Sequence, residues 1–133
     1  METTTGTLSF QKMSVRVLLV DDDARLHELL TSYLEQNGVH VTKATNGTEG
    51  LAKLESGTFD AVLLDVMMPR MTGPEVLRAM REDEDLRSIP VIILTAVAPA
   101  VVRDLLGGAP VVVLPKPVSL GDLDAAIRAA RPR

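Results

Sequence analysis

The sequence contains no cysteine and no tryptophan. Without cysteine there is no disulfide framework, no thiolate metal site and no cysteine nucleophile. Histidine is limited to His27 and His40, too few for a His-rich zinc centre; both are expected at the surface, without a phosphotransfer role. Phe10, Tyr33 and Phe59 are the whole aromatic set, which argues against a base-stacking platform for single-stranded nucleic acid. Lys and Arg number 14 against 18 Asp and Glu, a net charge of −4, so a basic surface for nucleic acid is not expected either. Residues 1–14 show no secretory pattern, and no apolar run approaches the roughly 20 residues that span a bilayer. A cytoplasmic location without membrane contact is expected.

What is present is the composition of one globular domain: 133 residues, 46% apolar and 24% charged. Residues 1–14, rich in Thr and Ser, read as an N-terminal extension, and residues 15–131 as a single domain. Val15 to Val20 is a short β-branched apolar run, as in a buried parallel strand. Leu26, Leu29, Leu30, Tyr33 and Leu34 then define one helical face, stopped by Asn37-Gly38 as a left-handed cap. Val39 to Ala44 alternates as a strand with one partly wet face, and Leu51 and Leu54 mark a short helix ended by Gly57. Ala61 to Leu64 is a third strand ending on Asp65. Pro74 suits the first turn of the next helix, whose apolar face is Val76, Leu77 and Met80. Val91 to Leu94 is a fourth strand ending on Thr95, Ala100 to Leu106 a weak helix, and Val111 to Leu114 a fifth strand ending at Pro115-Lys116-Pro117. Leu120, Leu123, Ala126, Ile127 and Ala130 face inward on a last helix. So strict an alternation implies a doubly wound parallel sheet with helices on both faces.

The polar residues fall at the strand ends. Asp21 and Asp22 follow the first strand, Asp65 ends the third, Thr95 the fourth, and Lys116 follows the fifth. In an open parallel sheet, ligands bind beyond the carboxyl ends of the strands, where the strand order reverses. Three carboxylates converging there repel one another and raise their pKa values, a problem that a hard divalent cation removes. Carboxylates, a backbone carbonyl and water suit octahedral Mg²⁺. With Mg²⁺ on Asp21, Asp22 and Asp65, a hydroxyl and an ammonium can each hold a phosphoryl oxygen. That describes an acidic phosphoryl-accepting site with one aspartate as nucleophile.

Four motifs, in order, carry a resemblance: Val17 to Asp23 (VLLVDDD), Leu63 to Gly73 (LLDVMMPRMTG), Ile93 to Ala96 (ILTA), and Lys116-Pro117. Together they resemble a receiver domain of a bacterial two-component response regulator, over about Val15 to Ala130. The resemblance implies a flavodoxin-like sheet of strand order 2-1-3-4-5. It implies that Asp65 accepts a phosphoryl group from a histidine kinase or histidine phosphotransfer protein. Asp21 and Asp22 would hold Mg²⁺, directly or through water, with the backbone carbonyl of Met67 as a further ligand. Thr95 would bond a phosphoryl oxygen, Lys116 would pair with the phosphoryl group, and the Lys116–Pro117 bond would be cis. Such a domain is a switch that assists its own phosphorylation and dephosphorylation, not a turnover enzyme. It signals to a downstream protein target, or to an output domain of a longer protein, and the resemblance leaves room for a homodimer.

The chain departs from that family in its fifth-strand region. Val113 stands where the family usually has Tyr or Phe, the fourth helix is short, and Pro115 directly precedes Lys116. A receiver-like interaction module that works without phosphorylation is therefore the alternative. An aspartate-based phosphatase resembles a pattern with a second Asp two residues after the nucleophile, where Met67 stands. A flavin site would need a hydroxyl-rich loop where Asp21 to Asp23 would repel phosphate. The methionines Met67, Met68 and Met71 are expected to pack rather than to bind. Asp23 is expected to start the first helix.

Overall fold

A computed structural model describes residues 15–68, 71–107 and 111–130. The extension expected over residues 1–14, Pro69 and Arg70 of the LLDVMMPRMTG motif, and residue 131 of the expected domain lie outside them. Strands β1 (Val15–Val20), β2 (Val39–Ala44), β3 (Ala61–Asp65), β4 (Val91–Thr95) and β5 (Val112–Pro115) alternate with helices α1 (Ala24–Gln36), α2 (Gly47–Ser56), α3 (Gly73–Arg81), α4 (Pro99–Leu105) and α5 (Leu120–Ala130). The strands form one parallel sheet in the order β2-β1-β3-β4-β5, the expected doubly wound, flavodoxin-like arrangement.

Strand periodicity explains why both faces are covered. Successive side chains point to opposite faces, so a strand buried on both sides is apolar throughout. Leu18, Val20, Val62, Leu64 and Ile93 pack with Leu54 of α2, Val76 and Met80 of α3, and Val102 of α4. Val17, Leu19, Leu63, Ile92 and Leu94 pack with Leu30 and Leu34 of α1 and Leu123 and Ile127 of α5.

Caps fix most helix starts. The Asp23 carboxylate accepts from the N–H groups of Arg25 and Leu26 and opens α1. Asn46 accepts from Glu49 N–H at the start of α2. Thr72 and Glu75 form a reciprocal capping box on α3, with Pro74 in its first turn. The left-handed stop after α1 is present, with Gly38 at φ 83°. Helix α4 has no side-chain cap and only seven residues, which agrees with its weak sequence pattern.

Three expectations need correction. Leu29 is 56% exposed; the inward arc of α1 is set by His27, Leu30 and Leu34, and Leu29 falls outside it despite its spacing from Leu26. Strand β5 begins at Val112 rather than Val111, and Val112 is 48% exposed because an edge strand has one neighbour to cover it. The Met67 side chain does not pack, at 62% exposed, whereas Met68 is buried in the core.

Candidate functional site

The sheet order reverses between β1 and β3, and the residues that leave those two strands meet there. Asp21 is fully buried just beyond β1. Its N–H donates to the carbonyl of Ala44 at 3.0 Å, Oδ1 accepts from Asp23 N–H at 2.9 Å, and Oδ2 accepts from Lys116 Nζ at 2.8 Å. Asp65, also buried, closes β3; its Oδ1 accepts from Met67 N–H at 3.4 Å and its Oδ2 lies 3.6 Å from Lys116 Nζ. Asp22 is exposed at the mouth of the cluster. One carboxylate oxygen from each of Asp21, Asp22 and Asp65 lies within 4.8 Å of the others.

Lys116 reaches this rim from the far side of the sheet. Its N–H donates to the Thr95 carbonyl at 2.8 Å, and the Lys116–Pro117 peptide is cis, as expected. Thr95 is buried at the end of β4, and its Oγ1 accepts from Val97 N–H at 3.0 Å. The structure thus gathers Asp21, Asp22, Asp65 and Lys116 into one cluster, with Thr95 beside it through the backbone of Lys116. Met67 follows Asp65 by two residues at the same rim.

Charge is out of balance here. Burial, reinforced by the negative charge of Asp21, pushes the Asp65 carboxyl above the usual carboxylate range, against the pull of Lys116. Burial pulls the Lys116 ammonium down, but its hydrogen bond to Asp21 and the charges of Asp21 and Asp65 outweigh that and hold it above its ordinary value. Among the described residues, three carboxylates face one ammonium. An all-oxygen donor set with residual negative charge, open at Asp22, fits a hard divalent cation such as Mg²⁺.

Gly73 sets the back wall of Asp65. Its N–H donates to the Val66 carbonyl at 3.0 Å. A Cβ added at Gly73 would sit 2.5 Å from the Asp65 carbonyl oxygen and 2.8 Å from Val66 Cα, both backbone atoms that cannot swing aside. Gly73→Ala should therefore cost about 2–3 kcal/mol, the upper part of the range for overpacking. Urea unfolding checks this, and an unchanged midpoint would contradict it.

One residue of the site's surroundings departs from expectation. His27 is buried rather than at the surface, and its Nε2–H donates to the backbone carbonyl of Asp21. The signal for it was its place three residues before Leu30 and seven before Leu34 on the inward arc. His40 is exposed, as expected.

A 2-1-3-4-5 parallel sheet whose carboxyl rim joins three aspartates to a lysine defines a receiver-type signalling fold. The chain belongs to the response regulator receiver domain family, whose profile matches residues 17–128. It is 44% identical over 119 residues to the response regulator MprA of Mycobacterium bovis, an alignment that covers 88% of this chain and 50% of MprA. The chain thus spans about half the length of these curated relatives. Among solved structures it is similar to the receiver domain of Francisella response regulator 1452, with 28% identity, a TM-score of 0.80, and coverage of 88% of this chain and 96% of that one. It is also similar to the Thermotoga maritima response regulator TrrA in complex with Mg(2+)-BeF, with 30% identity, a TM-score of 0.77, and coverage of 87% and 98%. Among the described residues, no helix is long and apolar enough to cross a membrane.

Proposed function

We propose that residues 15–131 form a phosphoacceptor receiver domain, preceded by an extension over residues 1–14. It takes a phosphoryl group onto Asp65 from a histidine kinase or histidine phosphotransfer protein in the cytoplasm. Asp21, Asp22, Asp65 and the Met67 carbonyl would hold Mg²⁺. The observation that carries this reading is the convergence of Asp21, Asp22 and Asp65 within 4.8 Å, with Lys116 bridging Asp21 and Asp65. The Mg(2+)-BeF complex of the Thermotoga relative supports the same cation here.

The step is a transfer in which an Asp65 carboxylate oxygen forms a new O–P bond. The P–N bond of the donor phosphohistidine breaks, and its electron pair leaves with the imidazole. Lys116, kept protonated by its two carboxylate neighbours, pairs with a phosphoryl oxygen. Thr95 Oγ1 already accepts from Val97 N–H and keeps its own proton to donate to another phosphoryl oxygen. Mg²⁺, when bound, offsets charge on the transferring group. The domain acts as a switch, and its output is a changed contact surface toward a protein target, an output domain or a second copy.

Incubation of the wild type with acetyl phosphate and Mg²⁺ should add the mass of one phosphoryl group, and chelation of the metal should prevent it. No mass gain would favour the alternative, an interaction module that works without phosphorylation. Half-buried Val113 and the uncapped α4 are what favour that alternative. Met67 and Val97, each two residues beyond a site residue, are apolar, exposed and half-buried respectively, and in this reading they flank the path of an attacking water. The phosphorylated form should therefore outlast seconds in Mg²⁺ without a phosphatase. Decay within seconds, followed by intact mass, would contradict this.

A further inference from the structure

His27 is 5% exposed on the inward arc of α1. A carbonyl can only accept, so the bond to Asp21 places a proton on Nε2 and, in the neutral ring, leaves Nδ1 as an acceptor. Nδ1 is buried without a hydrogen-bond partner, and so is the Thr31 hydroxyl one helical turn further along. Unpaired buried polar atoms cost stability, and an apolar side chain at this position would avoid one of them. What the imidazole supplies in return is its bond to the Asp21 carbonyl.

That carbonyl belongs to the peptide plane joining Asp21 to Asp22, and the peptide bond is rigid. Asp21 is anchored elsewhere by Ala44, Asp23 and Lys116. Asp22 is exposed, so its backbone is oriented by the two peptide planes that flank it: Asp23 N–H on Asp21 Oδ1 holds the second, and His27 holds the first. We infer that His27 is a positioning residue for the cation site: its Nε2–H locks the Asp21–Asp22 peptide and thereby aims the Asp22 carboxylate at Asp21 and Asp65. This rests on the proposed Mg²⁺ site and assigns a residue to hold it in shape. Partners that orient metal-binding groups commonly govern affinity.

The test is calorimetric titration of the metal-free protein with Mg²⁺. His27→Leu removes the donor and keeps apolar packing. His27→Gln offers an amide N–H at similar reach. His27→Leu should bind Mg²⁺ about ten- to a hundredfold more weakly than the wild type, with His27→Gln within about threefold of it. A merely structural role would lower the unfolding midpoint of both variants and leave their Mg²⁺ affinity alone. His27→Leu binding within about fivefold of the wild type would overturn the inference. Should His27→Leu fail to fold, nitrogen-15 NMR of the wild-type imidazole decides. A slowly exchanging Nε2–H whose signal shifts on Mg²⁺ addition supports the inference, and a proton on Nδ1 alone, or no shift, overturns it. A wild type that binds no Mg²⁺ brings down the proposed site itself and this inference with it. That result is distinct from a loss confined to His27→Leu.

Discussion

Asp65→Asn should take up no phosphoryl group and, with metal removed, should unfold at a higher urea concentration than the wild type. The first effect follows from losing the nucleophilic carboxylate. The second follows from the site's electrostatics. Burial and the neighbouring charge of Asp21 raise the Asp65 pKa in the folded protein. A carboxyl whose folded pKa is raised contributes stability that is fully present below its unfolded value, near 3.8, and is lost as pH rises through the folded value. At neutral pH the ionised Asp65 therefore costs stability, which the neutral amide restores. A gain of about 1 kcal/mol, within the range common for single stabilising substitutions, is expected. The gain should shrink as the pH falls toward the ordinary carboxylate range, where Asp65 carries its proton in both states. Adding Mg²⁺ should reverse the ranking, because a ligand stabilises only the form that binds it and the variant lacks one carboxylate donor. Equal or lower stability of Asp65→Asn in chelator at neutral pH would show that the charge of Asp65 carries no penalty in the fold.

The parts of this site visible in the sequence were those that end a strand. Asp21, Asp65, Thr95 and Lys116 each follow an apolar run, and a parallel sheet brings such positions to one rim. The strand order came with the family resemblance, since alternation of strands and helices does not specify it. Periodicity failed where burial is set by neighbours rather than by spacing. Leu29 satisfies the spacing of an inward residue and faces out, while His27 satisfies the same spacing and faces in. Polarity hid His27, because the partner that makes its burial useful is a backbone carbonyl, and a carbonyl leaves no mark in a sequence. Leu86 escapes the sequence pattern for a related reason. It lies in the irregular stretch between α3 and β4, outside any period, yet it is 6% exposed in the core. The half-exposed fifth strand was hidden because Val112 and Val113 read like any buried strand, and only the sheet order makes β5 an edge.

Lys116→Met should be the most destabilising of these substitutions in metal-free protein. The change keeps much of the apolar stem and removes the ammonium 2.8 Å from Asp21 Oδ2 and 3.6 Å from Asp65 Oδ2. Breaking a buried pair by deleting one partner costs about 3–5 kcal/mol, because the other charge stays buried without compensation. The Lys116 side chain is 21% exposed and Asp21 still accepts from Asp23 N–H, so the lower end, about 3 kcal/mol, is expected. That is a large part of the roughly 5–15 kcal/mol that holds a domain together. Mg²⁺ should narrow the gap in urea unfolding, since a divalent cation also neutralises the carboxylates. The double variant Lys116→Met/Asp65→Asn separates this account from a packing effect. With the lysine gone, repulsion between Asp21 and Asp65 is no longer offset, so removing the Asp65 charge should gain more stability than it does in the wild type. The two changes should then be less damaging together than their sum. Strict additivity would mean that Lys116 stabilises the fold through its stem and that its charge is not what holds the two aspartates side by side.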